Sequence, residues 1–168
     1  SFEVRNQYEE SPYPRWVDLQ LYPQSVSIAE GFKGLELSIN DKAIFNVKSP
    51  NILIAGCGTG QHPIAAATRF KNSNLLAVDL SLSSMAYARR KTKELKIENI
   101  NYLQADILDL LKLRQTFDII ESLGVLHHME DPMAGWKVLT DCLKSGGLMK
   151  IGLYSALGRK NVGELQRQ

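Results

Sequence analysis

Short apolar runs alternate with amphipathic stretches between residues 51 and 153 of this 168-residue chain. A strand that is covered on both faces of a sheet is almost continuously apolar, so these runs predict buried strands. Five strands are expected, at Asn51–Ala55, Leu75–Asp79, Ile100–Gln104, Phe117–Glu121 and Leu148–Leu153. Strands in alternation with helices predict a mainly parallel sheet with helices on both of its faces.

Helical patterns occupy the intervals between the runs. Gln61–Phe70 is rich in alanine, and Ser81 or Ser83 can cap a helix that continues to Leu95. A short helical turn is expected at Leu108–Leu113. Together with the strands, these segments predict an α/β fold, a Rossmann-like three-layer αβα sandwich.

The last helix has the clearest start and stop signals. Asp131-Pro132 can supply the N-cap and the first helical residue, and Trp136, Leu139 and Leu143 form an apolar stripe at helical spacing. Ser145-Gly146-Gly147 is expected to end this helix before the fifth strand.

The first 46 residues differ in character from the rest of the chain. Residues 1–24 are rich in aromatic residues and proline, which favours an extended arm, and residues 25–45 are weakly patterned and predict one helix and a loop. We therefore divide the chain into an arm with a helical cap (residues 1–46) and a Rossmann-like core (residues 47–168). The polar segment 154–168 has no strand pattern.

The composition is that of an ordinary globular domain, with 44% hydrophobic and 23% charged residues and a net charge of +2. No basic face is concentrated enough to predict a nucleic-acid partner. No apolar run approaches the roughly 20 residues that cross a bilayer, so no membrane association is expected. Cys57 lies inside a glycine loop, which favours a reduced thiol and a cytoplasmic location.

The strongest chemical signal is Gly56-x-Gly58-x-Gly60, directly after the first strand. Three alternate glycines let the backbone turn tightly and approach a ligand without intervening side chains. A simple strand-to-helix turn would need only one glycine. The third glycine comes one position earlier than in the dinucleotide fingerprint G-x-G-x-x-G, which argues against a nicotinamide-dependent oxidoreductase.

Two acidic residues lie at the carboxyl ends of consecutive predicted strands, Asp79 as the last residue of the second and Asp106 shortly after the third. Asp79, nineteen residues after Gly60, can accept hydrogen bonds from both hydroxyls of a ribose, or it can cap the helix that follows. Asp106, after the third strand, can accept a hydrogen bond from the exocyclic amine of a nucleobase, or it can cap the turn that follows it. Both alternatives are open for each residue.

These motifs resemble those of class I S-adenosylmethionine-dependent methyltransferases. The resemblance rests on the glycine loop, Asp79, Gln104-Ala105-Asp106-Ile107 and the segment Glu121–Pro132, and it covers residues 51 to about 154. Further motifs are similar to a subgroup often joined to tetratricopeptide repeats in bacterial proteins. Those motifs are Tyr8–Trp16, Gly60-Gln61-His62 and Ile151–Ser155.

The resemblance implies S-adenosylmethionine as the cofactor, S-adenosylhomocysteine as the product, and methylation of an unidentified small molecule or protein. The glycines would line the methionine moiety, Asp79 would hold the ribose, and Glu121–Leu123 would form the floor near the sulfonium. Leu80 and the segment after strand three would contact the adenine. The implied cofactor-binding residues are Gly56, Cys57, Gly58, Gly60, Asp79, Leu80, Ala105, Asp106, Ile107, Ser122 and Leu123.

A proton acceptor is needed only if the acceptor must first lose a proton. His127 and His128 have suitable chemistry, and because adjacent side chains point different ways, one of them, His128, is the candidate catalytic residue. Alternatively, both histidines pack the loop before Asp131.

No metal is expected. Cys57 has no accompanying base, and Cys142 is interpreted as a packed core thiol.

Two features remain open at the ends of the chain. Tyr13 and Arg15 can fold over the cofactor, or Trp16 and its neighbours can form an aromatic plug at the sheet.

The family that this chain resembles has seven strands. Five are recognised here, so the domain is expected to be truncated after strand five. Its open edge predicts self-association or a domain swap. The alternative function is that of a binding or regulatory module, which retains the cofactor site but does not transfer a methyl group.

Overall fold

A computed structural model describes Trp16, Leu19 and residues 21–35 and 42–153 of the chain. Its centre is a five-stranded parallel sheet in the order β3-β2-β1-β4-β5. The strands are β1 (Asn51–Ala55), β2 (Asn74–Asp79), β3 (Ile100–Gln104), β4 (Phe117–Leu123) and β5 (Leu143–Gly152). The order reverses between β1 and β4, which opens a crevice at the carboxyl ends of these strands.

Helices cover both faces of the sheet. The α-helices are α1 (Ile28–Gly31), α2 (Gln61–Arg69), α3 (Leu82–Glu94) and α4 (Pro132–Asp141), and 3₁₀ helices occupy Lys42–Asn46, Ile107–Leu113 and Leu126–His128. Ile52 and Ile54 of β1 pack with residues of α2 and α3, whereas Leu53 packs with Leu139 of α4. The predicted three-layer αβα sandwich is confirmed.

The start of β5 differs from the sequence-based prediction. The last helix ends at Asp141, and Leu143 already pairs with Phe117 in the sheet. The register of β4 and β5 shifts between Phe117 and Ile119, which accommodates Ser145-Gly146-Gly147 as an irregularity within β5. Leu143 therefore belongs to the strand, although its spacing from Leu139 also fits a helix.

The described part of the amino-terminal region packs on the sheet. The predicted single helix of residues 25–45 is a four-residue helix, α1, that begins with a Ser27–Glu30 capping box. A 3₁₀ helix follows at Lys42–Asn46, and Ile28 and Ile44 are buried in the same cluster as Ile52. Tyr13, Arg15 and residues 154–168 lie outside the described residues. Among the described helices, none has the length and apolar character that a membrane span requires.

Candidate functional site

A cavity of about 720 Å³ lies at the carboxyl ends of β1, β2 and β4. This volume falls within the range of small-molecule and cofactor sites. Ten of the twelve predicted site residues line it: Gly56, Cys57, Gly58, Asp79, Leu80, Ala105, Asp106, Ile107, Leu123 and His128. The structure thus brings together residues that are up to 72 positions apart in the sequence, from Gly56 to His128.

Gly60 and Ser122 are not among the lining residues. Gly60 has φ +94°, and a Cβ placed there would lie 2.6 Å from the Cβ of Ala88 in α3. Its absent side chain therefore allows α3 to pack closely against the loop. Ser122 is buried, and its hydroxyl donates to the Ala55 carbonyl at 3.0 Å. Both residues therefore contribute to the packing around the cavity without lining it.

The carboxylate of Asp79 holds the loop between β1 and α2 in place. Its Oδ2 accepts a hydrogen bond from the Gly58 amide at 2.7 Å, and its Oδ1 accepts from the Ser81 amide at 3.0 Å. The residue also lines the cavity, and a carboxylate oxygen can accept hydrogen bonds from ligand hydroxyls. Asp79 therefore combines a structural role with a position in the cavity wall, where it can accept from a ribose.

Asp106 also combines two roles. Its Oδ1 accepts from the Leu108 amide at 2.9 Å and so caps the 3₁₀ helix that follows β3, while the residue lines the cavity. The capping interpretation and the base-binding interpretation are geometrically compatible.

Glu121 is buried rather than exposed on the cavity floor. Its carboxylate is bound by His62 Nε2 at 2.6 Å and by Arg69 Nη2 of α2. Burial alone would raise the pKa of Glu121, but the hydrogen bond from His62 and the charge and hydrogen bond of Arg69 lower it to about 2. His62 itself lines the cavity, so the buried carboxylate contacts the cavity wall through a histidine that the sequence analysis names only as part of a subgroup motif.

The two adjacent histidines occupy different positions. Their rings lie 4.1 Å apart and are tilted by 49°, and of the two only His128 lines the cavity.

Cys57 lines the cavity as well, but burial raises the pKa of its thiol, and the Asp79 carboxylate raises that pKa further. Cys57 therefore stays protonated at neutral pH, which disfavours a nucleophilic role.

Trp16 is a supporting residue that the sequence left undecided. Its Nε1 donates to the Thr59 carbonyl of the glycine loop at 3.2 Å, and its own carbonyl accepts from the Tyr87 hydroxyl. The rings of Trp16 and Tyr87 meet edge to face at 6.0 Å, and Lys91 lies over the indole. Trp16 thus ties the arm to the glycine loop and to α3.

We expect Trp16→Phe to weaken S-adenosylhomocysteine binding about fivefold, because the loss of one hydrogen bond to the loop costs about 1 kcal/mol. The phenyl ring keeps most of the packing against Tyr87, so thermal unfolding should change little. Titration calorimetry measures the affinity, with Trp136→Phe on α4 as the control. Equal affinities for the two variants would contradict a role of Trp16 in holding the loop.

An unsatisfied hydroxyl in the cavity wall indicates a polar ligand. Ser84 lines the cavity and is fully buried, and its Oγ has no hydrogen-bond partner among the described residues. A buried polar group without a partner is costly, and a bound ligand can remove this cost.

Ser84→Ala should therefore have opposite effects on the free protein and on the complex. We expect the free energy of unfolding to rise by about 1 kcal/mol without ligand, while the affinity for S-adenosylhomocysteine falls about fivefold. Chemical denaturation and calorimetry measure the two quantities. Ser83→Ala is the control, because the Ser83 hydroxyl already pairs with Ser81. A variant that is less stable and binds unchanged would contradict this interpretation of Ser84.

Comparison with known proteins agrees with this geometry. Residues 52–147 match the family described as Methyltransferase domain. An uncharacterized protein of Synechococcus is 34% identical over 118 residues, which are 70% of this chain and 28% of that protein. (S)-Coclaurine N-methyltransferase of Papaver somniferum is 30% identical over 99 residues, which are 59% of this chain and 28% of that enzyme.

Solved structures show the same fold. An S-adenosylmethionine-dependent methyltransferase from Clostridium acetobutylicum superposes with a TM-score of 0.55 at 27% identity. The match covers 62% of this chain and 42% of that one. The chain thus spans well under two thirds of the length of each of these proteins.

Proposed function

The chain belongs to the methyltransferase domain family, and from this premise we propose that it binds S-adenosylmethionine in the cavity and transfers the methyl group to an acceptor. The observation that carries the proposal is the link between the glycine loop and β2. The Gly58 amide donates to the Asp79 carboxylate at 2.7 Å, at the crevice where the strand order reverses. The buried hydroxyl of Ser84 adds an unsatisfied group for the cofactor.

Each part of the wall suits one part of this cofactor. Asp79 would accept the ribose hydroxyls, Asp106 would accept from the adenine amine, and the backbone from Gly56 to Gly58 would lie against the methionine portion. When bound there, the cofactor would supply an activated methyl group for the lone pair of the acceptor. The protein contributes alignment of the acceptor and exclusion of water.

We propose that His128 removes the proton from a methyl acceptor that must lose one before the methyl group is transferred. It lines the same cavity as the glycine loop, and an imidazole can take up a proton near neutral pH. The acceptor is a small molecule or a protein.

Calorimetry with S-adenosylmethionine, S-adenosylhomocysteine and NAD tests the cofactor assignment. We expect one site for each of the first two compounds and no heat from NAD under the same conditions. Radiolabelled S-adenosylmethionine, incubated with a bacterial extract and this chain, then tests for transfer. Binding of NAD in preference to both adenosyl compounds would overturn the proposal.

We further propose that this domain is part of a bacterial cytoplasmic protein that carries tetratricopeptide repeats. The motif Gly60-Gln61-His62 supports this subgroup, and the Synechococcus relative is long enough for further domains, because the match covers 28% of it. The sequence next to this domain in the full-length protein tests the assignment. A helical repeat with a period of about 34 residues is expected there, and its absence would refute the subgroup.

Self-association through β5 is our proposal for a macromolecular contact. β5 is the last strand in the described sheet order, and Leu153 just beyond it is about half exposed. Such an edge can pair with a second copy, or the following segment can exchange between copies. Light scattering across a concentration series should show a rising mass. A constant monomer mass would contradict pairing.

A further inference from the structure

The charge of the cavity wall restricts which molecules can enter the cavity. Four carboxylates are among the described lining residues, those of Asp79, Asp106, Glu130 and Asp131, and no lysine or arginine is among them. Like charges repel and unlike charges attract, so an anionic acceptor is disfavoured and a cationic acceptor is favoured. The buried hydroxyl of Ser84 in the same wall has no partner among the described residues, which independently indicates a polar ligand.

Three of the four carboxylates already accept hydrogen bonds from the backbone. Asp79 and Asp106 each accept from at least one amide, and the proposed function assigns both of them to the cofactor. Asp131 caps α4, where one of its oxygens accepts from two amides. Glu130 is exposed and has no hydrogen bond or ion pair with another described residue. Among the described lining carboxylates, that of Glu130 is therefore left for an acceptor.

Apolar side chains share the cavity wall with Glu130. Leu123, Val125 and Met129 line the cavity from the end of β4 and the segment that follows it. Leu108 lines it from the 3₁₀ helix after β3, and its side chain is about half exposed. Exposed apolar side chains in the wall of a cavity are typical of a site that binds an apolar group. The wall thus offers an apolar surface together with one carboxylate that has no described partner.

We propose that the methyl acceptor is a small molecule with an apolar body and a cationic amine, and that Glu130 binds this amine. The inference rests on the proposed function, because it names the class of acceptor for the same site. An alkylamine is protonated near neutral pH, and an ammonium group donates charge-assisted hydrogen bonds to a carboxylate. The apolar body would lie against Leu123 and Met129. All of these groups line one cavity of about 720 Å³, which favours a small molecule over a folded protein as the acceptor.

The test uses three probes that share a phenyl ring and a two-carbon chain and differ in the group at the end of that chain. They are 2-phenylethylamine, which is a cation, 2-phenylethanol, which is neutral, and 3-phenylpropionate, which is an anion. Each probe is titrated at neutral pH into the chain saturated with S-adenosylhomocysteine, which has no methyl group to transfer. Nuclear magnetic resonance of carbon-13-labelled methionine methyl groups measures binding. Met129 lines the cavity and is the reporter, whereas Met85 is buried in the core and is the internal reference.

For the unmodified chain, we expect the amine to bind about fivefold more tightly than the alcohol, as for one solvent-exposed ion pair, and 3-phenylpropionate to bind more weakly than both. Glu130→Gln should reduce the preference for the amine to less than about twofold, because the ion pair is lost. Glu130→Lys should move the preference toward 3-phenylpropionate. Glu98→Gln is the control, because it removes an exposed carboxylate that is not in the cavity wall, and it should behave like the unmodified chain.

Two kinds of failure are distinguishable. If calorimetry detects no binding of S-adenosylhomocysteine to the unmodified chain, the proposed function fails, and the acceptor class fails with it. If S-adenosylhomocysteine binds but the three probes bind equally, or none shifts the Met129 resonance up to its solubility limit, only the acceptor class is wrong. A preference for the amine that persists in Glu130→Gln overturns the assignment of Glu130. Thermal unfolding of each variant verifies that it is folded.

Discussion

Glu121→Ala is expected to lower the free energy of unfolding by about 3–5 kcal/mol. The substitution leaves the Arg69 guanidinium and His62 without their shared carboxylate, and the loss of one partner from a buried ion pair typically costs this much. Chemical denaturation measures the change. Asp141→Ala is the control, because Asp141 forms an exposed pair with Lys137 that should contribute no more than about 1 kcal/mol. Similar losses for the two variants would contradict the importance of the buried cluster.

The same carboxyl group should make the protein sensitive to acid. Burial tends to raise the pKa of Glu121, but His62 and Arg69 hold it at about 2, below its value of 4.5 in an unfolded chain. A lowered folded-state pKa stabilises the fold above about pH 4.5, and this contribution is lost as the pH falls toward 2. The contribution of ionised Glu121 to the free energy of unfolding amounts to about 3 kcal/mol. Glu121→Gln should flatten this part of the stability profile, and an unchanged profile would contradict the assignment.

Asp79→Ala is expected to weaken S-adenosylhomocysteine binding at least about a hundredfold. The substitution removes acceptors for the ribose and also releases the amides of Gly58 and Ser81, which Asp79 holds at 2.7 and 3.0 Å. Hydrogen bonds to a charged group contribute about 1.5–3 kcal/mol each, so losing them accounts for an effect of this size. Calorimetry at constant pH measures the affinity.

Two further variants make this result interpretable. Asp79→Asn retains one acceptor oxygen and should lie between the unmodified chain and Asp79→Ala. Asp109→Ala removes an exposed carboxylate that pairs with Lys112 outside the cavity wall and should bind normally. An affinity of Asp79→Ala within about threefold of the unmodified chain would show that the ribose is bound elsewhere.

Local patterns were sufficient to locate the glycine loop and Asp79. The loop directly follows one apolar strand and Asp79 ends the next. Parallel strands bring their carboxyl ends to one edge, so the proximity of the loop and Asp79 follows from the topology. The beginning of β5 could not be obtained in this way. Leu143 continues the apolar stripe of α4 at a spacing of four from Leu139, and only its pairing with Phe117 across the sheet decides between helix and strand.

The roles of His62 and Trp16 could not be obtained from local sequence either, although both residues belong to motifs named there. His62 acquires its role from Glu121, which is 59 residues away, and Trp16 from Thr59, which is 43 residues away. No spacing rule joins such pairs before the fold is known. Ser84 was also overlooked, because an isolated serine near a helix start normally indicates a cap, and in this chain Ser81 is the N-cap.

A crystal structure of the chain with S-adenosylhomocysteine is the decisive test of the proposed cofactor site. We expect adenosine density across the carboxyl ends of β1 and β2, with the ribose hydroxyls within hydrogen-bond distance of the Asp79 carboxylate. The methionine portion should lie beside the glycine loop and the start of α2. An adenosyl ligand bound outside this cavity, or a cavity that stays empty at a saturating ligand concentration, would contradict it.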